Sequence, residues 1–134
     1  IAAETSDDPA LTGSAISKLG DIYLEGKDYK KAVENYDNML DKYPDSPAAD
    51  YAQAQLGNIF SATGRYNEAV LAYQSALTNF PGTPLREKIL FRLSEAYFKK
   101  HDFERAASES KNFLKAFPSR ASSPAITASS LALT

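Results

Sequence analysis

The sequence predicts an all-α protein that stacks three helix pairs and ends in a further helix. Three observations lead to this prediction. Chemically matched residues recur every 37 positions, apolar residues keep helical spacing within each copy, and a proline ends each copy. The chain has 134 residues, which is the size of one domain and large enough to bury a core without disulfides or metals.

Seven positions agree in chemistry across the three copies. Because one helix pair cannot bury its apolar faces alone, such a period indicates units that pack against their neighbours. The seven sets are Leu19, Leu56 and Leu93; Tyr23, Phe60 and Tyr97; Tyr29, Tyr66 and Phe103; Ala32, Ala69 and Ala106; Leu40, Leu77 and Leu114; Tyr43, Phe80 and Phe117; and Pro44, Pro81 and Pro118.

Each copy contains two predicted helices joined by a short turn. In the first copy, one apolar stripe runs through Ile16, Leu19 and Tyr23, and another runs from Tyr29 to Tyr43. A proline ends the second helix, because proline lacks an amide donor and clashes with the preceding turn. The turns between the two helices are expected at residues 25–28, 62–65 and 99–102.

The period divides the chain into five segments. These are an N-terminal extension or the tail of a preceding repeat at 1–9, three repeats at 10–47, 48–84 and 85–120, and a capping helix or truncated fourth repeat at 121–134. Asp8 is expected to cap a helix that begins at Pro9. Ser46 and Thr83 are expected to cap the first helices of the next two copies.

Small residues occupy the positions at which the two helices of a copy approach each other. We expect these residues to let the helices interlock, with the repeated leucines and most of the aromatic residues buried beside them. The small residues are Gly20, Gly57 and Ser94 on the first helices and Ala32, Ala69 and Ala106 on the second helices.

This pattern resembles the tetratricopeptide repeat family, whose motif is W-x2-L-G-x2-Y, then A-x3-F, then P. The first copy reads Ile16-x2-Leu19-Gly20-x2-Tyr23, Ala32-x3-Tyr36 and Pro44. The second copy keeps Gly57 and Tyr73, whereas the third has Ser94 in place of Gly and Ser110 in place of the aromatic residue. The resemblance implies a right-handed α-α superhelix, a TPR solenoid.

The resemblance also implies a function, which is the binding of a peptide or partner segment on the concave face by a non-catalytic scaffold. In the family, side chains of the first helices opposite the Leu-Gly-Tyr motif point into that face. Unlike the repeated positions, these residues differ between the copies, as a binding surface on a uniform scaffold would. The predicted partner-binding residues are Asp21, Leu24, Glu25, Tyr51, Asn58, Lys88, Phe91, Arg92, Glu95, Phe98 and Lys99.

Two of these side chains carry an alternative interpretation. Phe91 and Phe98 could instead pack against a helix formed by residues after Pro124. A subset of the family binds the terminal carboxylate of chaperones, and Lys88 and Arg92 occupy two of the five positions used. However, Ser17, Asp21 and Gln55 stand where Lys, Asn and Asn are needed, so this activity is disfavoured.

The junction from Tyr43 to Ala49 resembles the repeats of bacterial envelope proteins, such as the Tol-Pal-associated periplasmic coordinator and the β-barrel assembly lipoprotein. This resemblance implies a periplasmic or outer-membrane-associated protein, with a cytoplasmic location as the alternative. No apolar run approaches the roughly 20 residues that span a bilayer, so we expect no direct membrane insertion.

Composition disfavours several classes of function. The chain has no Cys, a single His and a net charge of -2. We therefore expect no metal, no cofactor, no catalytic set and no nucleic-acid partner, since nucleic-acid binding needs a basic surface. His101 is expected to be an exposed turn residue.

The alternative function is self-assembly. Residues 1–50 carry 11 acidic and 5 basic groups, whereas residues 51–134 carry 6 acidic and 10 basic groups. Ends of opposite charge could join copies into a homo-oligomer or a larger repeat array.

Overall fold

The computed structural model describes residues 8–119, which form six α-helices. They are α1 (Pro9–Glu25), α2 (Tyr29–Lys42), α3 (Ala49–Ala62), α4 (Tyr66–Asn79), α5 (Arg86–Lys99) and α6 (Phe103–Ala116). The helices pack in pairs, α1 on α2, α3 on α4 and α5 on α6, and the pairs join through α2 on α3 and α4 on α5. The prediction of an all-α repeat protein is confirmed. The helix predicted within residues 121–134 lies outside the described residues.

Aspartate caps begin three of the helices. The Asp8 carboxylate accepts a hydrogen bond from the Ala10 amide at 3.0 Å, which confirms the predicted cap before Pro9. Asp28 and Asp102 cap α2 and α6 by accepting from the amides of Lys31 and Arg105, both at 3.2 Å. The first amides of a helix have no hydrogen-bond partner within the helix, and each aspartate supplies one.

Ser46 and Thr83 do not cap helices as predicted, because they lie two residues before the N-cap positions, Ala48 and Leu85. Their hydroxyl oxygens accept from the amides of Ala48 and Leu85, at 3.2 and 3.1 Å. These residues hold a tight turn, and the helices α3 and α5 begin only at Ala49 and Arg86. The Thr83 hydroxyl also donates to the Asp50 carboxylate at 2.6 Å, which ties the turn before α5 to the start of α3.

The core lies mainly where one helix pair meets the next. Buried residues of α2 and α3 form one cluster and those of α4 and α5 form another. The first cluster contains Ala32, Tyr36, Met39, Ala49, Ala52, Leu56, Ile59 and Ala72. The second contains Ala54, Ala69, Val70, Tyr73, Ala76, Ile89, Leu93, Ala96, Tyr97 and Ala106.

Leu19 departs from the prediction that the repeated leucines are buried. Leu56 and Leu93 are 4% and 2% exposed, but Leu19 is 41% exposed. The reason is positional: Leu56 and Leu93 lie in the clusters where α3 and α5 pack on the preceding pair. Leu19 occupies the same position on α1, the first described helix.

The two helices of a pair interlock through a glycine and a tyrosine. A Cβ atom on Gly20 would lie 2.7 Å from the Tyr36 ring, and one on Gly57 would lie closer still to the Tyr73 ring. Both rings are almost wholly buried. A tyrosine at this position on the second helix therefore requires glycine on the first. The third copy has Ser94 and Ser110 at the matching positions, so both departures from the motif have the same steric cause.

The energetic coupling between the glycine and the tyrosine of an interlock can be measured with a double-mutant cycle at Gly57 and Tyr73. Gly57→Ala forces a methyl group into the ring and should lower the free energy of unfolding by about 1–3 kcal/mol. Tyr73→Ser removes a buried ring and should cost about 3–5 kcal/mol. The double variant should lose at least about 1 kcal/mol less than the sum, because the methyl group then has room. Urea denaturation of the four proteins measures this, and strict additivity would contradict the interlock.

The turn between the two helices of each pair contains one residue with a left-handed backbone conformation. Lys27, Gly64 and His101 occupy equivalent positions and have φ values of 60°, 77° and 66°. His101 is exposed, as predicted, and its ring packs edge-on against Phe103 at a centroid distance of 5.5 Å. Because residues with a Cβ adopt this conformation at a cost, the second copy has the least strained turn.

Gly64 and Gly82 form a matched pair for testing this requirement. A Cβ on either glycine would meet no atom within 4 Å, but only Gly64 has a left-handed φ. Gly64→Ala should therefore lower the free energy of unfolding by about 1 kcal/mol. Gly82→Ala should leave it unchanged or raise it, since alanine restricts the unfolded chain. Equal effects of the two substitutions in thermal denaturation would refute the backbone explanation.

Candidate functional site

Two adjoining cavities lie between α3 and α5, and we call them together the groove. The first, of about 220 Å³, is lined by Tyr51, Ala54, Gln55, Asn58, Tyr73, Leu85, Lys88, Ile89 and Arg92. The second, of about 350 Å³, is lined by Asn58, Ser61, Ala62, Tyr73, Arg92, Glu95 and Lys99. The α3 and α5 residues recur every three or four positions, so each set shares one face of its helix.

A continuous chain of hydrogen bonds runs from α4 along α3, one wall of the groove, to α1. The Tyr73 hydroxyl donates to Asn58 Oδ1 at 2.6 Å, and Asn58 Nδ2 donates to Gln55 Oε1 at 2.8 Å. Gln55 Nε2 then donates to the Tyr51 hydroxyl at 3.0 Å, which in turn donates to Asp21 Oδ1 at 2.9 Å. We call these five residues the polar chain.

Asp21 sets the direction of the polar chain. An ionised carboxylate accepts hydrogen bonds and donates none, so the hydroxyl of Tyr51 must point toward α1. The hydroxyl of Tyr36 also donates to the same Asp21 oxygen. Two tyrosine hydroxyls, one from each flanking helix, therefore hold this carboxylate in place.

The tyrosines of the groove are held in their neutral form. Burial raises the pKa of Tyr73 to about 12. Burial, followed by the hydrogen bond to Asp21, raises the pKa values of Tyr36 and Tyr51. Desolvation disfavours a phenolate, and the neighbouring carboxylate disfavours a second negative charge. These hydroxyls therefore remain hydrogen-bond donors through the neutral pH range.

Charge changes sign from α1, on one side of α3, to α5 on the other. Asp21 and Glu25 lie on α1, whereas Lys88, Arg92 and Lys99 lie along α5 and are all exposed. Arg92 Nη1 donates to Glu95 Oε1 at 3.0 Å, so this ion pair connects two residues of the groove wall. A ligand would meet negative charge beside α1 and mostly positive charge beside α5.

The structure brings most of the predicted site residues together. Six of them line the groove: Tyr51, Asn58, Lys88, Arg92, Glu95 and Lys99. Asp21 joins them through Tyr51. Leu24 instead packs against the first core cluster, and Glu25 is exposed at the end of α1. Ser17, which belongs to the same helix face, is buried.

Phe91 and Phe98 do not line the groove. Their rings pack against Phe113 and Phe103 of α6, at centroid distances of 5.9 and 5.6 Å. They therefore pack within their own helix pair. The reason lies in the Ser110 position: without a tyrosine there, the large side chains of Phe91 and Phe113 fill the space between α5 and α6. The residues after Pro124, which were the alternative contact, lie outside the described residues.

The sequence pattern did not identify Tyr73 as a groove residue or Tyr36 as a partner of Asp21, because both rings belong to the core. Both could have been recognised, since each tyrosine lies opposite a glycine and its hydroxyl bonds to the residue after that glycine. Residues 8–119 contain no cluster of three His, Cys, Asp or Glu side chains that could hold a metal ion. Over the same range, no helix combines the length and apolarity needed to cross a membrane.

Comparison with known proteins places the fold in one family. Two models, both described as tetratricopeptide repeat, match residues 11–82 and 55–121. The sequence has no significant match among curated proteins.

Several solved structures share the fold. The N-terminal domain of stress-induced protein-1 (STI-1) from C. elegans superposes with a TM-score of 0.80 and 20% identity, covering 96% of this chain and 98% of that one. The Sgt2 TPR domain from Aspergillus fumigatus has a TM-score of 0.68 and 22% identity, covering 87% and 72%.

A third similar structure was solved with a ligand. The first TPR of Spaghetti (RPAP3), bound to the HSP90 peptide SRMEEVD, has a TM-score of 0.76 and 14% identity, covering 92% of this chain and 91% of that one. At these identities the similarity is one of fold. Together with the family matches, the repeated helix pairs and the Gly-Tyr interlock show that this chain belongs to the tetratricopeptide repeat family.

Proposed function

We propose that this chain is a non-catalytic protein-interaction module that binds a peptide or partner segment in the groove. The observation that carries the proposal is the polar chain, which holds groove side chains of α3 and α4 in fixed orientations before any ligand arrives. Prearranged donors and acceptors lower the entropic cost of binding. The peptide bound to the first TPR of Spaghetti supports a peptide as the class of ligand.

The charges of the groove favour a ligand of defined polarity. Acidic side chains of the partner would lie beside Lys88 and Lys99, and cationic or amide groups would lie near Asp21 and Glu25. Complementary charges steer association and fix the orientation of a ligand more than they add affinity. The segment would bind in an extended or helical conformation along the first helices.

Charge reversal on α5 tests this proposal. Peptides selected from a random library on the wild-type chain should be enriched in Asp and Glu. Lys88→Glu/Lys99→Glu should weaken their binding at least tenfold, measured by fluorescence anisotropy, because the variant repels the same carboxylates. Lys30→Glu/Lys111→Glu is the matched control, since these exposed lysines lie on α2 and α6. Equal losses in both variants, or none in either, would refute binding in the groove.

Capture of a terminal carboxylate is disfavoured, and Asp21 is the reason. Lys88 and Arg92 lie in the groove, but the Asp21 carboxylate stands where the carboxylate-binding members of the family have asparagine. The peptide SRMEEVD should therefore bind the wild type weakly and bind Asp21→Asn more tightly. An amide removes the repulsion and can still accept from Tyr51. Isothermal titration calorimetry measures both affinities. Tight binding of the peptide by the wild type would contradict the statement that Asp21 prevents carboxylate capture.

We also propose a periplasmic or outer-membrane-associated location, supported by the junction from Tyr43 to Ala49 alone. A signal peptide or lipobox in the parent gene product would support that location.

A further inference from the structure

Helix α1 carries an apolar stripe on the face opposite α2. Leu11, Leu19 and Ile22 are spaced eight and three positions apart, so they lie on one side of the helix. They are 61%, 41% and 58% exposed. Exposed leucines and isoleucines are common singly, but three in line on one helix indicate a surface that another apolar surface covers.

The same positions are covered in the other two copies. Leu56 and Ile59 of α3 belong to the first core cluster, and Leu93 and Ala96 of α5 belong to the second. At both junctions the covering element is the second helix of the preceding pair, α2 or α4. The chain therefore makes the same interface twice, and the α1 stripe repeats one half of that interface without the other half.

The matching surface lies on α6. Leu40 of α2 and Leu77 of α4 pack against the clusters at the two junctions, and Val33 and Val70 precede them by seven residues. The equivalent α6 residues are Leu114 and Ala107, and both remain partly exposed. Thus α1 presents one half of the interface, and α6 presents the other.

Charge favours the same pairing. Residues 10–47 carry 7 acidic and 5 basic groups, whereas residues 85–120 carry 5 acidic and 9 basic groups. First helices of consecutive pairs touch, as α3 and α5 do. By the same geometry, α5 of one copy would lie beside α1 of the next, which places Lys99 near Asp21 and Glu25 and Glu95 near Lys18.

We propose that the α1 stripe binds α6 of a second copy of this chain, which continues the stack from molecule to molecule. This interface goes beyond the proposed peptide binding, and it is formed by different side chains. Because the two surfaces differ, the contact is heterologous and leaves one free end on each molecule. The mean mass should then grow with concentration instead of stopping at a dimer.

Two variants, each with one face blocked, test the direction of assembly. Leu19→Glu/Ile22→Glu blocks α1, and Ala107→Glu/Leu114→Glu blocks α6. Each variant alone should be monomeric from micromolar to millimolar concentration in light scattering, with its association weakened at least tenfold. Mixed together they should form a 1:1 dimer that grows no further, because one intact α6 face meets one intact α1 face.

Controls keep the result interpretable. Leu71→Glu alters a residue of α4 that is 62% exposed outside the stripe, and it should assemble like the wild type. If circular dichroism shows that the α6 variant unfolds, Ala107→Arg alone replaces it, since its long side chain blocks the face at less cost to the core.

Three outcomes would overturn the proposal. The first is a wild-type chain that stays monomeric over the whole range, which would leave residues 121–134 as the candidate cover of α6. The second is an α6 variant that still dimerises, which would indicate that α1 pairs with itself. The third is a mixture of the two variants that remains monomeric. Because the groove is unaltered in these variants, peptide selection on them tests the proposed function separately.

Discussion

The close approach of two helices at a glycine is the constraint on which the rest of the structure depends. Tyr36 and Tyr73 cross from the second helix of a pair over Gly20 and Gly57 of the first. The rings fill the core, and their hydroxyls bond to Asp21 and Asn58, the residues that follow the two glycines. Each tyrosine therefore packs the core and also orients a polar side chain of the first helix. A change in the interlock changes the polar chain as well.

The third pair lacks this constraint, and its packing differs accordingly. Ser94 carries a Cβ, Ser110 is too short to reach across, and the Phe91–Phe113 contact fills the space instead. No tyrosine hydroxyl then reaches Glu95, and its carboxylate accepts from Arg92 on its own helix. The polar chain thus stops at the second pair, while the third pair contributes exposed cations. Ser94 and Ser110 account for the end of the polar chain, whereas the cations come from separate substitutions, with Lys88, Arg92 and Lys99 at the positions of Tyr51, Gln55 and Ala62.

Much of this could be predicted from the sequence, because repetition reports on packing directly. A position that recurs in three copies has the same role within its helix pair, so the period identified the helix pairs, the turns and the family motif. Contacts between pairs are different. Leu19 and Leu56 hold the same motif position and each precedes a glycine, yet Leu19 is 41% exposed and Leu56 is 4% exposed, because only Leu56 has a preceding pair of described helices beside it. Identical residues in three copies do not reveal which copy has another pair beside it.

The prediction that Phe91 and Phe98 line the groove failed for a related reason. Phe91 and Phe98 occupy the positions of Ala54 and Ser61, which line the groove in the second copy, but side-chain volume decides where a ring packs. Comparing equivalent positions of the second and third copies shows how the volume is compensated. The third copy has Ser110 in place of a tyrosine, but it has phenylalanines at 91 and 113, where the second copy has alanines. Tyr73 escaped prediction for the opposite reason, since its ring fills the core while its hydroxyl alone reaches the groove.

The two halves of the groove should contribute differently to recognition. Near α1 and α3, the donors and acceptors of the polar chain already satisfy each other, so a ligand must exchange existing hydrogen bonds for its own. Such exchange adds little affinity, but it penalises a ligand whose groups do not match. Along α5, the exposed ammonium groups of Lys88 and Lys99 would attract acidic groups of a ligand, which would speed association. In the proposed binding, attraction would therefore arise mainly beside α5 and discrimination beside α1, and a segment that satisfies both would bind in one direction.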